Sequence, residues 1–479
     1  MSQPDTRTSK RPELQSKDGG EADDALYAVR QKVYPRAVTG KFATWRWILV
    51  WLTQLTYYGL CWLPWNGRQA VLLDLVERKF YIFDWIFWPQ DVFFLAILLI
   101  ISAYALFFFT AVAGRLWCGY ACPQTVYTEI FMWIEEKIEG NRSQRMKLDQ
   151  GPMSARKLGI KAAKFGAWGA LSLWTGFTLV GYFTPVRDLA REALSLSFGP
   201  WELFWILFYG GFTYLFAGVM REQVCKYMCP YARFQGVMFD ADTLVITYDP
   251  ERGEPRGPRR KGVDPRAISK GDCVDCGICV QVCPTGIDIR NGLQYECIGC
   301  AACIDACDQV MEKMNYPKGL IRYTTENAMK RHWGRAEIVG HVMRPRIMIY
   351  AGVLVAICAA FVWGLATRST LRVDVLKDRS TLSREVEGGL IANVYNLQVM
   401  NMTEGVRRFA LSATGLDGIQ ITPAESFEVD AAGLKSVTVE VVAPPESGKP
   451  GSNTIYIEVK ALDDETVRAR EKTSFLIPR

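Results

Sequence analysis

Five stretches of about twenty residues, nearly free of charge, run through the chain: Phe42–Leu63, Val92–Ala113, Ala162–Phe183, Trp201–Met220 and Ile347–Ala366. A helix of that length crosses a hydrocarbon layer of ~30 Å, and in lipid a helix satisfies its own backbone groups. The stretches therefore predict five transmembrane helices and exclude a simple soluble fold. Trp45, Trp47, Trp62, Trp65, Tyr182 and Trp201 gather near their ends, where half-polar rings suit the membrane interface. Arg46 and Gln54 interrupt the first stretch, whose start is the least sharply defined.

Basic residues orient these helices. Residues 1–46 carry nine Lys/Arg and residues 114–164 another nine, against three in 64–90 and two in 185–199. The positive-inside rule then places the N-terminal tail, 114–164 and the long segment 220–346 in the cytoplasm. An odd number of spans delivers everything from about residue 368 to the periplasm. The expected location is a bacterial inner membrane, crossed several times. No apolar segment with a small-residue cleavage site precedes the first span, so no cleavable leader is expected. Residues 1–41 read as a disordered cytoplasmic tail. The net charge of +6 gives no case for nucleic-acid binding.

The 14 cysteines are not scattered. Cys273, Cys276, Cys279 and Cys283 follow the spacing Cys-x2-Cys-x2-Cys-x3-Cys, and Cys297, Cys300, Cys303 and Cys307 repeat it. Such a run wraps three thiolates round one face of a cubane and lends its fourth cysteine to the other cluster. One [4Fe–4S] centre is thus expected on Cys273, Cys276, Cys279 and Cys307, and a second on Cys297, Cys300, Cys303 and Cys283. Gly277 and Gly299 relax the loops. Structural zinc is the competing reading, but the triplet spacing does not favour a tetrahedral four-thiolate site. Asp308 stands where a proline commonly follows the fourth cysteine, and this removes no ligand. The insert reads as a ferredoxin-like electron relay. With two histidines, His332 and His341, and no Cys-x2-Cys-His, attached c-type haem and bis-histidine haem are excluded.

A second constellation pairs Cys118 with Cys122 and Cys225 with Cys229, each as Cys-x3-Cys-Pro just past the second and fourth spans. If the backbone stays helical, cysteines at i and i+4 share a face, and two such pairs offer four converging thiolates. Arg115, Arg221 and Lys226 are expected to favour the thiolate form. Soft sulfur selects Cu(I), zinc or an iron–sulfur cluster over hard ions. The bland alternative is packing at helix ends, where Pro123 and Pro230 merely mark boundaries. Met220 and Met228 are possible thioether ligands but more simply filler; Cys61 and Cys358 read as packing residues within spans. The basic stretch Lys330–Arg346 reads as an inside anchor touching anionic lipid.

Residues 367–479 change character. They hold no cysteine, 14 basic and 16 acidic residues, and short alternating stretches: Leu371–Leu376, Val394–Met402, Arg408–Ser412, Ile419–Ile421, Phe427–Val429, Ser436–Val442, Thr454–Val459 and Thr473–Ile477. Turn signals separate them, which predicts an Ig-like antiparallel β-sandwich. The domain order is therefore 1–41 tail, 42–226 spans one to four with both Cys-x3-Cys-Pro motifs, 227–346 linker and two-cluster insert, 347–366 span five, and 367–479 sandwich.

In that order these features resemble the FixG/CcoG (RdxA-type) cytochrome c oxidase accessory proteins, membrane-bound polyferredoxins, over nearly the whole length. NapH-type polyferredoxins share the Cys-x3-Cys-Pro pair; the fifth span and the sandwich set the accessory family apart. The resemblance implies a role in assembling cbb3-type oxidase, by reducing Cu(II) to Cu(I), with Cys118, Cys122, Cys225 and Cys229 as the catalytic, copper-handling residues. It implies transient copper, and contact with oxidase assembly machinery or copper chaperones. No Gly-x-Gly-x-x-Gly follows a predicted strand, so an unknown cytoplasmic protein or a quinol is expected as electron donor. Two other readings stay open: a quinol-linked subunit of a larger redox complex, and a non-redox assembly scaffold.

Overall fold

The computed structural model describes residues 32–378, 383–386, 388–423 and 425–478. Most of the expected tail, 1–31, lies outside them. Nine helices organise the membrane part and the cysteine insert: α1 Lys41–Leu60, α2 Val92–Ala113, α3 Leu116–Tyr120, α4 Pro123–Glu139, α5 Ala155–Val180, α6 Pro200–Thr213, α7 Pro230–Met238, α8 Ala302–Met314 and α9 Pro345–Ala366. A π-helical segment, Tyr214–Met220, extends α6.

Three helices are long and apolar enough to cross a membrane by length and composition: Pro89–Ala113, Pro200–Met220 and Pro345–Ala366. The other two expected spans form helices α1 and α5 but fall short of that measure. Polar Arg46 and Gln54 are buried on one face of α1, and α5 opens with Arg156, Lys157, Lys161 and Lys164 and is rich in Gly. Small residues serve packing there. A Cβ on Gly176 of α5 would lie 2.3 Å from the Ile206 carbonyl oxygen of α6, so the two backbones touch. Opposite them, α2 and α9 meet through Phe94 against Phe361 and Tyr104 against Tyr350.

The two ends of the bundle carry different structure. At one end lie the cysteine insert and a strap, residues 32–40, expected as part of a disordered tail. The strap is pinned by its own polar groups: Arg36 N–H bonds the Gln281 carbonyl at 2.8 Å, and Lys32 and Tyr34 both reach Asp149, at 2.5 and 2.7 Å. Burial works to raise the Asp149 pKa, but hydrogen bonds from Lys161, Lys32 and Tyr34 outweigh it and hold this carboxyl well below the usual range.

At the other end residues 64–90, read from sequence only as a connector, form a three-stranded antiparallel sheet, Val71–Asp74, Lys79–Ile82 and Trp85–Phe87. It docks on the C-terminal domain. Ile86 and Trp88 pack with Met400 and Met402, Arg368 pairs with Asp91 at 2.5 Å, and Asn66 and Arg68 both bond Glu404. The described residues of 371–477 form two facing antiparallel sheets. One runs Gln420–Thr422, Leu434–Ala443, Leu390–Asn401, Leu371–Lys377, with Arg384–Val386 also on the Leu390–Asn401 strand. The other runs Phe427–Val429, Arg407–Thr414, Gly451–Ala461, Arg468–Ile477. Alternate residues such as Tyr395, Leu397, Val399, Ile455, Ile457 and Val459 are fully buried between them, as period-2 patterning requires.

Candidate functional site

The cysteine insert is two interleaved loops. In each, a residue in the left-handed region follows the second cysteine and opens a helical turn: Gly277 at φ 64° and Ala301 at φ 59°. A second sits two residues earlier, Asp275 at φ 55° and Gly299 at φ 70°. The left-handed steps close each loop, so that its cysteines face inward. Two cavities result. Cys273, Cys276, Cys279 and Cys307 line one. Cys283, Cys297, Cys300 and Cys303 line the other, and Cys279 stands in the wall of both. The fourth cysteine of each run thus crosses to its partner's cavity. Asp308 accepts a hydrogen bond from Gly319 N–H at 2.8 Å and so steadies the turn beyond α8.

These thiols are costly to ionise without a metal. Burial pushes Cys279 to about 11 and Cys297 to about 12, and raises Cys300, Cys303 and Cys307. In every case the buried sulfur loses hydration, and neighbouring sulfurs add repulsion. Buried, mutually repelling sulfurs are what a cationic iron–sulfur core neutralises, and two sets of four fit the donor count of two cubanes.

The Cys-x3-Cys-Pro motifs are built alike, although not as the helical spacing predicts. Each span ends on a sharply turned residue four before the first cysteine: Gly114 (φ 55°, ψ −119°) and Arg221 (φ 45°, ψ −111°). A short helical turn holds Cys118 or Cys225. The second cysteine is extended, Cys122 at φ −61°, ψ 127° and Cys229 at φ −74°, ψ 110°, and its N–H bonds the carbonyl five residues back, at 3.0 and 2.8 Å. Pro123 and Pro230 then start α4 and α7, where a missing N–H costs nothing. The cysteines of a motif therefore straddle a helix break and share no helix face. The four still gather: each of the six pairs among Cys118, Cys122, Cys225 and Cys229 is close enough to interact electrostatically.

Burial, not the expected cations, dominates their chemistry. Cys118 is pushed up to about 11, Cys225 to about 12, and Cys122 is raised, with Arg115 opposing weakly at Cys118 and Cys225. Arg221 is committed elsewhere, to Glu135 at 2.8 Å. Burial works to raise the Glu135 pKa, yet Arg221, Lys164 and Arg145 together hold it below its usual value. Sequence reasoning missed Gln235, fully buried on α7, whose Nε2 donates to Cys118 Sγ at 3.4 Å. Its only signal was an amide within an otherwise apolar helical turn. Met228 is half-exposed, His332 exposed, and His341 stacks on Trp333 at 3.9 Å, so these stay outside the site.

The thiol group and the second cavity are in contact. Cys118 and Cys225 pack against Val282, Ile298 and Cys300. A Cβ on Gly119 would fall 2.8 Å from the Gly299 carbonyl, and one on Gly299 would fall 3.0 Å from the Arg115 oxygen. Tyr323 OH at 2.6 Å fixes the Gly299 carbonyl, and Arg46 Nη1 at 3.1 Å fixes that of Cys300.

Residues 361–478 match the family model described as the IG-like fold at the C-terminal of FixG. Nitrogen fixation protein FixG of Rhizobium meliloti is 38% identical over 448 residues, covering 87% of this chain and 86% of that protein. The chain belongs to the FixG/RdxA-type family. Two further relatives, both of Cereibacter sphaeroides, agree. Protein RdxB is 38% identical over 422 residues, covering 86% of this chain and 85% of its own. Protein RdxA is 35% identical over 458 residues, covering 92% and 95%. Residues 220–326 match a 4Fe-4S dicluster domain and residues 95–141 a 4Fe-4S binding domain, so this FixG-type chain is an iron–sulfur protein.

Proposed function

We propose that the chain is a membrane-bound electron relay that reduces Cu(II) to Cu(I) at Cys118, Cys122, Cys225 and Cys229, in the service of cbb3-type oxidase assembly. Two [4Fe–4S] clusters, on Cys273/Cys276/Cys279/Cys307 and on Cys283/Cys297/Cys300/Cys303, supply the electrons. The observation that carries this reading is the contact of Gly119 with Gly299, which seats the thiol group directly on the second cysteine loop. Copper is the substrate: each Cu(II) takes one electron, and four soft sulfurs favour the Cu(I) product. Gln235 and the amides of Gln124 and Thr125, which donate toward Cys118 and Cys122, stabilise thiolates once copper displaces their protons. The relay lies in a bacterial inner membrane crossed by α1, α2, α5, α6 and α9, with the cysteine insert cytoplasmic and the sandwich periplasmic.

A second reading has its own support. Residues 95–141, which contain Cys118 and Cys122, match a 4Fe-4S binding domain, so the four thiols are candidates for a third cluster. Iron content separates the two: about eight irons for two cubanes, about twelve for three. Copper reduction is tested with Cys118→Ala/Cys229→Ala. The double variant is expected to keep both cubane EPR signals and lose Cu(II) reduction. Unchanged Cu(II) reduction removes these cysteines from the mechanism.

A further inference from the structure

A cleft along α1 ends beside the second cysteine cavity. Its apolar part, about 660 Å³, is walled by Trp51, Leu55 and Tyr58 of α1 and Ile130 of α4, and faces the lipid side of the bundle. Trp47 and Trp133, in edge-to-face contact, wall both this part and a second space of about 210 Å³ under the strap, so the two adjoin. The second space is polar. Arg46, Glu129 and Glu136 line it, together with Pro284 and Ala302, the sequence neighbours of Cys283 and Cys303.

Its polar groups are incompletely used. Arg46 is 7% exposed, and its Nη atoms bond Cys300 O at 3.1 Å and Glu129 at 3.5 Å, while its Nε–H has no partner. Gln54, 9% exposed and two turns further along α1, has an unpartnered Oε1 in the apolar part. A buried group left unpaired is expensive, so an occupant with matching polar atoms is favoured there.

We propose that this cleft binds an isoprenoid quinol, with its ring beside the Arg46–Glu129 pair and its tail along α1. The proposal rests on the relay reading, for which it supplies the donor. The volume is that of a small-molecule site. A phospholipid head would call for cations alone, whereas here Glu129 and Glu136 stand among Arg36, Arg46 and Arg145. A quinol offers an O–H donor to Glu129, and its quinone offers a carbonyl to Arg46 Nε–H. Oxidation breaks both O–H bonds. Two electrons leave singly for the iron–sulfur centres beside Cys300, and two protons pass in turn to Glu129 and out past Glu136 to water. Each quinol therefore yields two Cu(I).

The test uses the full-length, cluster-loaded protein in detergent. A photoreactive azido-ubiquinone is expected to label peptides from 47–59 and 130–133, and Gly59→Phe, which fills the apolar part, is expected to cut labelling at least tenfold. The dithionite-reduced EPR spectrum reports whether that variant keeps both clusters; Leu55→Trp replaces it if not. Decylubiquinol or menadiol, mixed anaerobically with protein and Cu(II), should give two Cu(I) per quinol. Labelling elsewhere, or phospholipid in place of quinone in the lipid extract, overturns the site. If dithionite-loaded protein reduces Cu(II) and quinol does not, the donor site fails alone. If dithionite-loaded protein cannot reduce Cu(II), the relay reading fails, and the labelling pattern alone decides the quinol site.

Discussion

Gly119 lies against Gly299 with no room for a side-chain atom between them: a Cβ on Gly119 would meet the Gly299 carbonyl carbon and oxygen at 2.8 Å. The atoms in the way are backbone, fixed by the Tyr323 hydroxyl, and cannot swing aside. Gly119→Ala is therefore expected to cost ~1–3 kcal/mol as overpacking and to prise the thiol group from the second cysteine loop. Thermal melts give the first effect. Stopped-flow re-oxidation of dithionite-reduced clusters by Cu(II) gives the second, and should slow. Re-oxidation at the wild-type rate would show that electrons do not cross here.

Each cubane is expected to depend on its own four cysteines. Cys279→Ser should remove the cluster of the Cys273/Cys276/Cys307 cavity, and Cys303→Ser the other. Iron should fall from about eight to about four per chain in each case. Because Cys279 also borders the second cavity, its substitution should shift the remaining EPR signal as well.

Acid should release the strap. The Asp149 carboxyl titrates below its ordinary 3.8, so its contribution is complete above that value and is lost as pH falls through the depressed folded value. Asp149→Asn should imitate the acid state at neutral pH. Hydrogen exchange of residues 33–39 is expected to speed up in the variant, and the rest of the insert to stay protected. Unchanged exchange would mean that the Arg36 N–H bond to Gln281 and the Arg145 bond to the Pro35 carbonyl hold the strap unaided.

Topology is tested by reporter fusions at Ser269 and Gly389, which should report opposite sides of the membrane. The basic residues divide nine and nine against three and two, which sets this expectation. Equal answers would mean that one of α1, α2, α5, α6 and α9 does not span.

What sequence revealed and what it hid divide along physical lines. The cubane cysteines are legible because a wrapped loop needs a fixed spacing, and the sandwich strands because alternation has period two. Arg384–Val386 escaped because Arg384 and Glu385 leave no apolar alternation to read. The sheet of residues 71–87 escaped because its short strands run as unbroken apolar stretches, not in alternation. The shared-face expectation for Cys118 and Cys122 failed at Cys122, whose extended backbone before Pro123 breaks the helix, and Cys229 before Pro230 does the same. The strap was illegible because its partners Gln281 and Asp149 lie far off in sequence.

Asp305, between Cys303 and Cys307 on α8, accepts hydrogen bonds from Phe42 N–H at 3.2 Å and Ala43 N–H at 2.7 Å, the first turn of α1. The helix that is made first is thus capped by a residue 262 positions downstream. At ~5–20 residues per second the ribosome needs roughly 10–50 s to deliver it. During that interval α1 waits with exposed amides at the water's edge. Its final seating waits on the second cysteine run, so the first helix of the chain is completed only when that loop takes its place.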